Sequence, residues 1–266
     1  MPRRVPAGLA DRLPRLFDFR DLVWALVARE LKVRYRRSAI GFLWTMLQPL
    51  LTMLVLQVAF SALFRFDVPN YPVYVLAGVL LWNFISQSIL AAMNSLRGNA
   101  QLLKKVPVPK EVFPIATVAS GLVNLLFALG PLLLILIVTG HPLRPSLLFL
   151  PVAIVIATVF VLGAGLLLAP LAAFFQDVVE MVGVAMTMLM YLTPVFYPLA
   201  IIPDRLRQIL RYNPVRVILE VFRVPIYEGR LPSLTMVLAA VGLAVVSFLL
   251  GLAVFRRSCD RTAFYL

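Results

Sequence analysis

The amino-acid sequence predicts an all-α integral membrane protein that crosses the bilayer as six transmembrane helices. The 266 residues are 62% hydrophobic and 14% charged, whereas a soluble domain is roughly 45–50% apolar and ~25% charged. Asp, Glu, Lys and Arg leave six charge-free blocks, and each is at or above the ~20 residues that a helix needs to cross a ~30 Å hydrocarbon layer. These blocks are residues 38–64, 68–96, 112–143, 145–176, 181–203 and 231–255.

The distribution of positive charge predicts the orientation. If the blocks alternate across the membrane, 17 of the 25 Lys and Arg residues, and all four lysines, lie on the side that holds both termini and the 97–111 loop. Cytoplasmic segments are enriched in Lys and Arg. We therefore predict a multi-pass protein with a cytoplasmic segment 1–37, a membrane domain 38–255 and a cytoplasmic tail 256–266. The net charge of +13 is explained by this placement, so nucleic acid is not an expected partner.

The stretch FRDLVWALVARELKVRYRR before the first block predicts an amphipathic helix. Its charged face opposes an apolar face, and Glu30 and Arg34 are spaced for an i,i+4 ion pair. The apolar face consists of Phe19, Leu22, Val23, Leu26, Val27 and Val33. A basic amphipathic helix lies at the lipid headgroups, near anionic lipid. It either anchors the chain only or acts as a lever and lipid contact beside the first span.

Two local patterns modify the six-helix prediction. Prolines at 194, 198 and 203 forbid a straight span there, so the segment from Pro194 to Pro232 predicts a re-entrant or interfacial hairpin before the last helix. Such a backbone is permitted at membrane depth only where protein or a watery cavity satisfies its polar groups. The GAG run at 163–165 is small enough to let a neighbouring helix approach closely.

The chain lacks the usual means of driving transport or catalysis. No G-x-x-x-x-G-K-[ST] loop is present to hold ATP phosphates, and one Cys and one His exclude a Cys/His metal cluster within the chain. Acids are also absent from the interior of the blocks, which disfavours a proton-coupled transporter or a membrane enzyme. The energy for any transport must come from elsewhere.

The blocks instead contain neutral polar and aromatic side chains. Most of these usually hydrogen-bond between helices, and Tyr71 and Tyr74 fit interfacial anchors. Together they would also suit a path for a neutral, hydroxyl-rich polymer, because aromatic faces pack on sugar rings. The predicted channel lining is Trp82, Phe84, Gln87 and Tyr191.

Four motifs resemble one family. The chain is similar to the permease subunits of type-2 ABC exporters of O-antigen, teichoic acid and capsular polysaccharide in LKVRYRRSAIGFLWTMLQPLL, NAQLLKKVPVPKEVFP, FFQDVVEMV and LTPVFYPLAIIPDRLRQILRYNPVRVILEVFR. Together they span almost the whole chain. Gln176 departs from the pattern, since relatives commonly have arginine before the aspartate, so the role of that loop is less certain.

The resemblance implies a homodimer in the bacterial inner membrane, with two copies of a separate ABC ATPase that bind ATP and Mg²⁺. This chain would hold no cofactor or metal. The implied cargo is a polysaccharide on an undecaprenyl-diphosphate carrier, or a related glycolipid, moved outward from the cytoplasmic leaflet.

The resemblance also implies roles for three groups of residues. Cations where the diphosphate headgroup enters would be Arg29, Lys32, Arg36 and Arg37. Contact with the ATPase through the 97–111 coupling loop would involve Arg97, Lys104, Lys105 and Glu111. An outer gate of two short helices, residues 195–231, would involve Pro194, Phe196, Tyr197, Arg205 and Arg211. The six arginines from Arg205 to Arg230 would meet the emerging headgroup or ordinary lipid phosphates.

Three alternatives stay open at this point. A type-2 ABC permease for a drug or simple lipid would share the architecture without a sugar-lined path. A membrane-embedded glycosyltransferase or phosphatase would need catalytic acids that the blocks lack. A scaffold or assembly subunit without transport is the third alternative that the sequence leaves open.

Overall fold

The computed structural model describes residues 19–36, 40–63, 68–105, 108–198, 202–211 and 213–262. In these ranges the regular secondary structure is entirely helical. The α-helices are α1 (Arg20–Tyr35), α2 (Trp44–Leu63), α3 (Tyr71–Gly98), α4 (Ala100–Lys105), α5 (Val112–Val138), α6 (Leu150–Phe174), α7 (Asp177–Leu192), α8 (Asp204–Arg211), α9 (Pro214–Tyr227) and α10 (Leu234–Thr262). Short 3₁₀ helices, Gly41–Leu43 and Pro145–Phe149, precede α2 and α6.

Four helices of the described chain are long and apolar enough to cross a membrane. They are Tyr71–Gly98, Val112–Val138, Pro145–Phe174 and Leu234–Ser258. The other two predicted spans are shorter: the apolar part of α2 is Trp44–Ala59, and α7 has 16 residues, about 24 Å at ~1.5 Å per residue. An all-α protein with four membrane-capable helices is confirmed, and the count of six crossings stays a prediction.

Prolines and asparagines mark several helix ends, and the break near Pro194 is the one that the sequence predicts. Asn70, with a left-handed φ of 49°, turns the chain into α3, whose first turn contains Pro72. The Asn213 side chain accepts the Val215 N–H at 3.0 Å and caps α9, which satisfies one of the donors that a helix start leaves unpaired. The helix α7 ends at Leu192, two residues before Pro194. Two short helices, α8 and α9, follow in the predicted hairpin segment.

The centre of the fold is α3, which packs against α2, α5, α6 and α9. Its buried residues dominate the main hydrophobic cluster. At the predicted small-residue run, α6 packs on α10 through Gly163 and on α3 through Gly165. A Cβ on Gly163 would lie 2.4 Å from Phe248 N, and one on Gly165 would lie 2.8 Å from Ala92 Cβ. The close approach predicted for residues 163–165 is therefore confirmed.

A second hydrophobic cluster joins α1 to one end of the helix bundle. Leu26 and Val27 pack with Phe113 of α5 and Phe255 of α10. The other predicted apolar residues Phe19, Leu22 and Val23 pack against the same cluster, as does Leu31. Val33 is 64% exposed and does not join this cluster, so its predicted place on a lipid-facing surface stays a prediction.

Candidate functional site

A turn after α7 is held by side chains from two other helices. Four successive backbone carbonyls, those of residues 194–197, each accept a side-chain hydrogen bond. Arg223 Nη1 donates to Pro194 O at 2.6 Å and Nη2 donates to Val195 O at 2.9 Å. The Tyr71 hydroxyl donates to Phe196 O at 2.8 Å. The Tyr74 hydroxyl shares its one proton between Tyr197 O at 2.9 Å and Pro194 O at 3.3 Å. We call this arrangement the 194–197 clamp.

Arg223 is the centre of the clamp. It lies on α9 with 5% exposure, and its guanidinium carbon sits 4.0 Å from the centroid of the Tyr74 ring. A desolvated cation over an aromatic face gains ~2 kcal/mol, and backbone carbonyls supply further negative potential. Neighbouring Glu220 is engaged by Arg216 at 2.7 Å. Arg223 is therefore stabilised mainly by carbonyls and an aromatic ring.

Gly78 makes the room for this cation. A Cβ at position 78 would lie 2.2 Å from Arg223 Nη2 and 2.7 Å from Val195 O. Both distances are shorter than real Cβ contacts, and the second involves backbone. Only glycine fits here because the arginine passes directly over the α3 backbone.

The clamp corrects two sequence predictions. Tyr71 and Tyr74 are not lipid-interface anchors but buried donors to the turn. Arg223 does not face lipid or cargo, and the neighbouring Arg216 and Arg230 pair with Glu220 and Glu228. The local sequence around an arginine near the end of an apolar segment is the same whether the side chain faces outward or inward. The tertiary contacts determine which direction it takes.

A polar cleft of about 300 Å³ lies between α2, α3 and α5, with α1 at one end. One cation, seven neutral polar side chains and two aromatic rings line it, together with small and aliphatic residues. The polar and aromatic members are Arg34, Trp44, Thr45, Gln48, Asn83, Phe84, Gln87, Ser88, Thr117 and Asn124. Among the described residues, no acid lines this cleft. We call it the α2–α3–α5 cleft.

Glycine again sets the shape of the cleft. A Cβ on Gly121 of α5 would lie 2.1 Å from Ser88 Oγ and 3.6 Å from Phe84 Cε2. Ser88 is 3% exposed, and its hydroxyl has no hydrogen-bond partner in the described part of the protein. Gly121 therefore lets α5 sit against Ser88 and Phe84 at the wall of the cleft.

Polar contacts link α1 to the cleft and to the loop after α3. The Thr117 hydroxyl, at the cleft wall, donates to Glu30 Oε1 at 3.1 Å. Arg29 Nη2 donates to Asn99 Oδ1, and Asn99 Nδ2 donates to Ser95 O at 2.8 Å. The carboxylate of Glu30 thus bonds to α5 rather than forming the predicted i,i+4 pair with Arg34. Because Asn99 immediately precedes α4, α1 contacts both the cleft and the predicted coupling loop.

The predicted channel residues occupy different environments. Phe84 and Gln87 line the α2–α3–α5 cleft. Trp82 is 5% exposed and packs in the main core, whereas Tyr191 is 63% exposed near the end of α7. The structure brings two of the four together, and their transport role stays a prediction.

The remaining predicted groups lie near the two ends of the bundle. Of the cations predicted to meet a headgroup, Lys32 and Arg36 are exposed on and just after α1, and Arg29 contacts Asn99. Arg37 and the Arg211 side chain lie outside the described residues.

In the predicted coupling group, Lys104 and Lys105 are exposed on α4, and Arg97 is half-buried. Glu111 lies 3.8 Å from Arg256 in a largely buried ion pair. In the predicted outer gate, Pro194 and Phe196 are buried in the clamp, and Arg205 is exposed. The Tyr197 hydroxyl donates to Tyr191 O.

Sequence reasoning missed Gly78, Gly121 and Ser88, and it placed Arg223 among the outward-facing arginines. A single signal was available for Arg223: it sits in the helical segment PVRVILEVFRVPIY, where it shares a face with Val215, Leu219 and Ile226, at i−8, i−4 and i+3. All three are buried. An arginine on an apolar helix face indicates an inward contact, although not the partner.

The fold and these sites define a class: a helical, multi-pass membrane domain with a polar interior cleft. Comparison with known families then gives the family itself. Residues 21–227 match the ABC-2 type transporter family, and the chain belongs to it.

Three relatives match over most of their length. The chain is 33% identical over 233 residues to the O-antigen export system permease protein RfbA of Myxococcus xanthus, covering 87% of this chain and 90% of the relative. It is 24% identical over 242 residues to the polysialic acid transport protein KpsM of Escherichia coli, covering 88% and 92%. It is 27% identical over 256 residues to the capsule polysaccharide export inner-membrane protein CtrC of Neisseria meningitidis, covering 88% and 93%.

Proposed function

We propose that this chain is the transmembrane subunit of an ATP-driven exporter that moves a lipid-linked polysaccharide across the bacterial inner membrane. The observation that carries the proposal is the nearly full-length similarity to permeases named for O-antigen and capsule export. The α2–α3–α5 cleft, lined mainly by uncharged polar and aromatic side chains, supports a hydroxyl-rich cargo over the drug or simple lipid of the alternative assignment.

The working unit in this proposal is a homodimer with two copies of a separate ATPase subunit. That subunit binds ATP and Mg²⁺, because this sequence has no phosphate-binding loop. Both termini are cytoplasmic, α2 and α7 complete six crossings, and the 195–231 hairpin with α8 and α9 forms an outer gate. Exposed apolar residues recur on α7 at Met181, Val184, Met188 and Tyr191, a spacing suited to packing against a second copy.

Deleting the chain tests the proposed cargo. We expect loss of surface polysaccharide and accumulation of carrier-linked polymer inside the cell, detected by immunolabelling of intact and of permeabilised cells. Restoring the full-length chain should reverse both effects. Normal surface polymer together with new sensitivity to hydrophobic drugs would favour the alternative permease.

Reversing charge on α4 tests the proposed ATPase contact. Lys104 and Lys105 are exposed, adjacent and basic, so Lys104→Glu with Lys105→Glu should repel an acidic partner surface. Like charges at an interface cost several kcal/mol, so we expect co-purification of the ATPase to weaken by about tenfold or more. Arg230→Glu, also at an exposed arginine, is the control. Unchanged co-purification would place the ATPase contact elsewhere.

A further inference from the structure

The chemistry of the α2–α3–α5 cleft restricts what it can bind. Its neutral hydroxyl and amide groups both donate and accept hydrogen bonds. No acid lines it in the described chain, and no group of His, Cys, Asp or Glu there could hold a metal. A bare cation is therefore a poor ligand. An acyl chain is equally poor, because it would leave the buried Ser88 hydroxyl unsatisfied at a cost of ~1–3 kcal/mol.

The position of the cleft favours a polar occupant. Asn83 lies about 18 Å along α3 from Tyr71, and Gln87 about 16 Å from Gly98, at ~1.5 Å per residue. Both are far from either end of a helix long enough to cross the bilayer. At that depth polar groups need a hydrogen-bonding partner, and the Ser88 hydroxyl has none within the described protein.

The aromatic rings and the single cation further restrict the class of ligand that the cleft can bind. Phe84 lies in the wall, and Trp44, which is 45% exposed, lies at the start of α2. Trp44 therefore offers an accessible ring face that matches the apolar C–H face of a sugar ring, whereas Phe84 is 4% exposed and contributes only to the wall. Arg34, in the last turn of α1, is the only charge among the described lining residues, and its planar guanidinium suits a phosphate oxygen pair. The pattern is suited to a polyhydroxyl group carried beside a phosphate.

We propose that the α2–α3–α5 cleft is a saccharide-binding subsite inside a single protomer, which takes one or two uncharged sugar rings of a phosphate-linked glycolipid. Its volume of about 300 Å³ is at the lower end of small-ligand pockets, which limits the occupant to a short segment. The choice of a glycolipid rests on the proposed function. The lining side chains named above all belong to this chain, so the proposal assigns the subsite to them alone.

The subsite is also connected to α1. Thr117 forms part of the wall and donates to Glu30, while Arg34 on the same helix closes one end. Arg29 of α1 reaches Asn99 next to α4. A sugar in the cleft therefore contacts the helix that touches the coupling loop, so occupancy and coupling share α1.

A thiol-protection experiment tests the subsite without turnover. In a Cys259→Ser background, Gln87→Cys places a thiol at the cleft and Gln176→Cys places a control thiol in the exposed turn before α7. The intact complex in phosphatidylethanolamine nanodiscs is then labelled with maleimide. Three additions are compared: undecaprenyl diphosphate bearing a short oligosaccharide, the same carrier without sugar, and phosphatidylglycerol. The last is an anionic phospholipid whose headgroup is a glycerol on a phosphate, so it offers hydroxyls and a phosphate without a sugar ring.

We expect only the sugar-bearing carrier to protect the thiol at 87, by about tenfold at a ligand concentration ten times Kd, since the unoccupied fraction of sites falls by the factor 1 + [L]/Kd. Labelling at 176 should stay unchanged. Equal protection by the sugar-free carrier or by phosphatidylglycerol would overturn the sugar assignment. Absence of protection by all three would overturn the subsite, whereas the proposed function is tested independently by the surface polysaccharide of deleted cells.

Discussion

Replacing Arg223 by methionine should release the turn after α7 and destabilise the protein. Methionine has a similar reach but no donor, so the Val195 carbonyl loses its bond and the Pro194 carbonyl keeps only the 3.3 Å bond from Tyr74. A buried carbonyl left unpaired costs ~1–3 kcal/mol, and the lost contact with the Tyr74 ring adds ~2 kcal/mol. Relief from burying a charge offsets part of this. We expect a net loss of about 2–3 kcal/mol in the free energy of unfolding.

The measurement combines a global and a local readout. Unfolding by SDS in mixed micelles gives the free energy of unfolding, and maleimide labelling of Val195→Cys in the Cys259→Ser background reports the turn, since Val195 is fully buried. Arg230→Met, at an exposed arginine, is the matched control and should change neither. If Arg223→Met left both readouts at the values of the parent protein, the clamp would not hold the turn.

Arg223→Lys separates charge from geometry at the same position. Lysine keeps a positive charge, but its compact ammonium cannot reproduce the two parallel bonds of a guanidinium to adjacent carbonyls. We expect its unfolding free energy to lie between those of the parent protein and Arg223→Met, with labelling at 195 close to that of the methionine variant.

The sequence allowed the helical elements to be predicted because the determinants are local. Charge-free blocks locate the long helices α3, α5, α6 and α10, and prolines explain why α7 stops near Pro194. The GAG run predicts a close helix approach because small side chains have one obvious use in a membrane domain. Each of these inferences needs only a few neighbouring residues.

The clamp could not be predicted because its members are distant in the chain. Tyr74 and Arg223 are 149 positions apart, and each has an ordinary local explanation, as an interfacial aromatic and as a lipid-facing cation. Only the packing of α9 on α3 makes them partners. The cleft has the same origin: Phe84 and Gln87 were identified from composition, whereas Ser88 and Gly121 matter only because α5 lies against α3.

The second large effect concerns the contact between α6 and α10. A Cβ on Gly251 would lie 2.1 Å from Gly163 O and 2.9 Å from Gly163 C. These are backbone atoms, so the only response is to move one helix away from the other. The Ser247 hydroxyl, which donates to Phe160 O at 3.0 Å across this pair, would lose its partner in the same movement.

We therefore expect Gly251→Ala to destabilise the protein by about 3 kcal/mol, at the upper end of overpacking in a core, despite the gain in helix propensity. Gly242→Ala is the matched control on the same helix, because a Cβ there meets nothing within 4 Å. It should stabilise by up to ~1 kcal/mol, the helical advantage of alanine over glycine. Because the same Gly→Ala change at two positions of α10 should alter the free energy of unfolding with opposite signs, the comparison separates packing from helix propensity. Unfolding in SDS measures the free energy of both variants.

A double-substitution cycle with Gly163→Ala shows whether the two glycines act as one contact. A Cβ on Gly163 would lie 2.4 Å from both Phe248 N and Ser247 C, so the single substitution should also destabilise. Once one alanine has separated the helices, the second meets more space, and the combined loss should fall short of the sum by at least ~1 kcal/mol. Strict additivity, or a stabilising Gly251→Ala, would mean that α6 and α10 do not approach through these glycines in the membrane. A shortfall from additivity would therefore measure the shared effect of both alanines on the distance between α6 and α10.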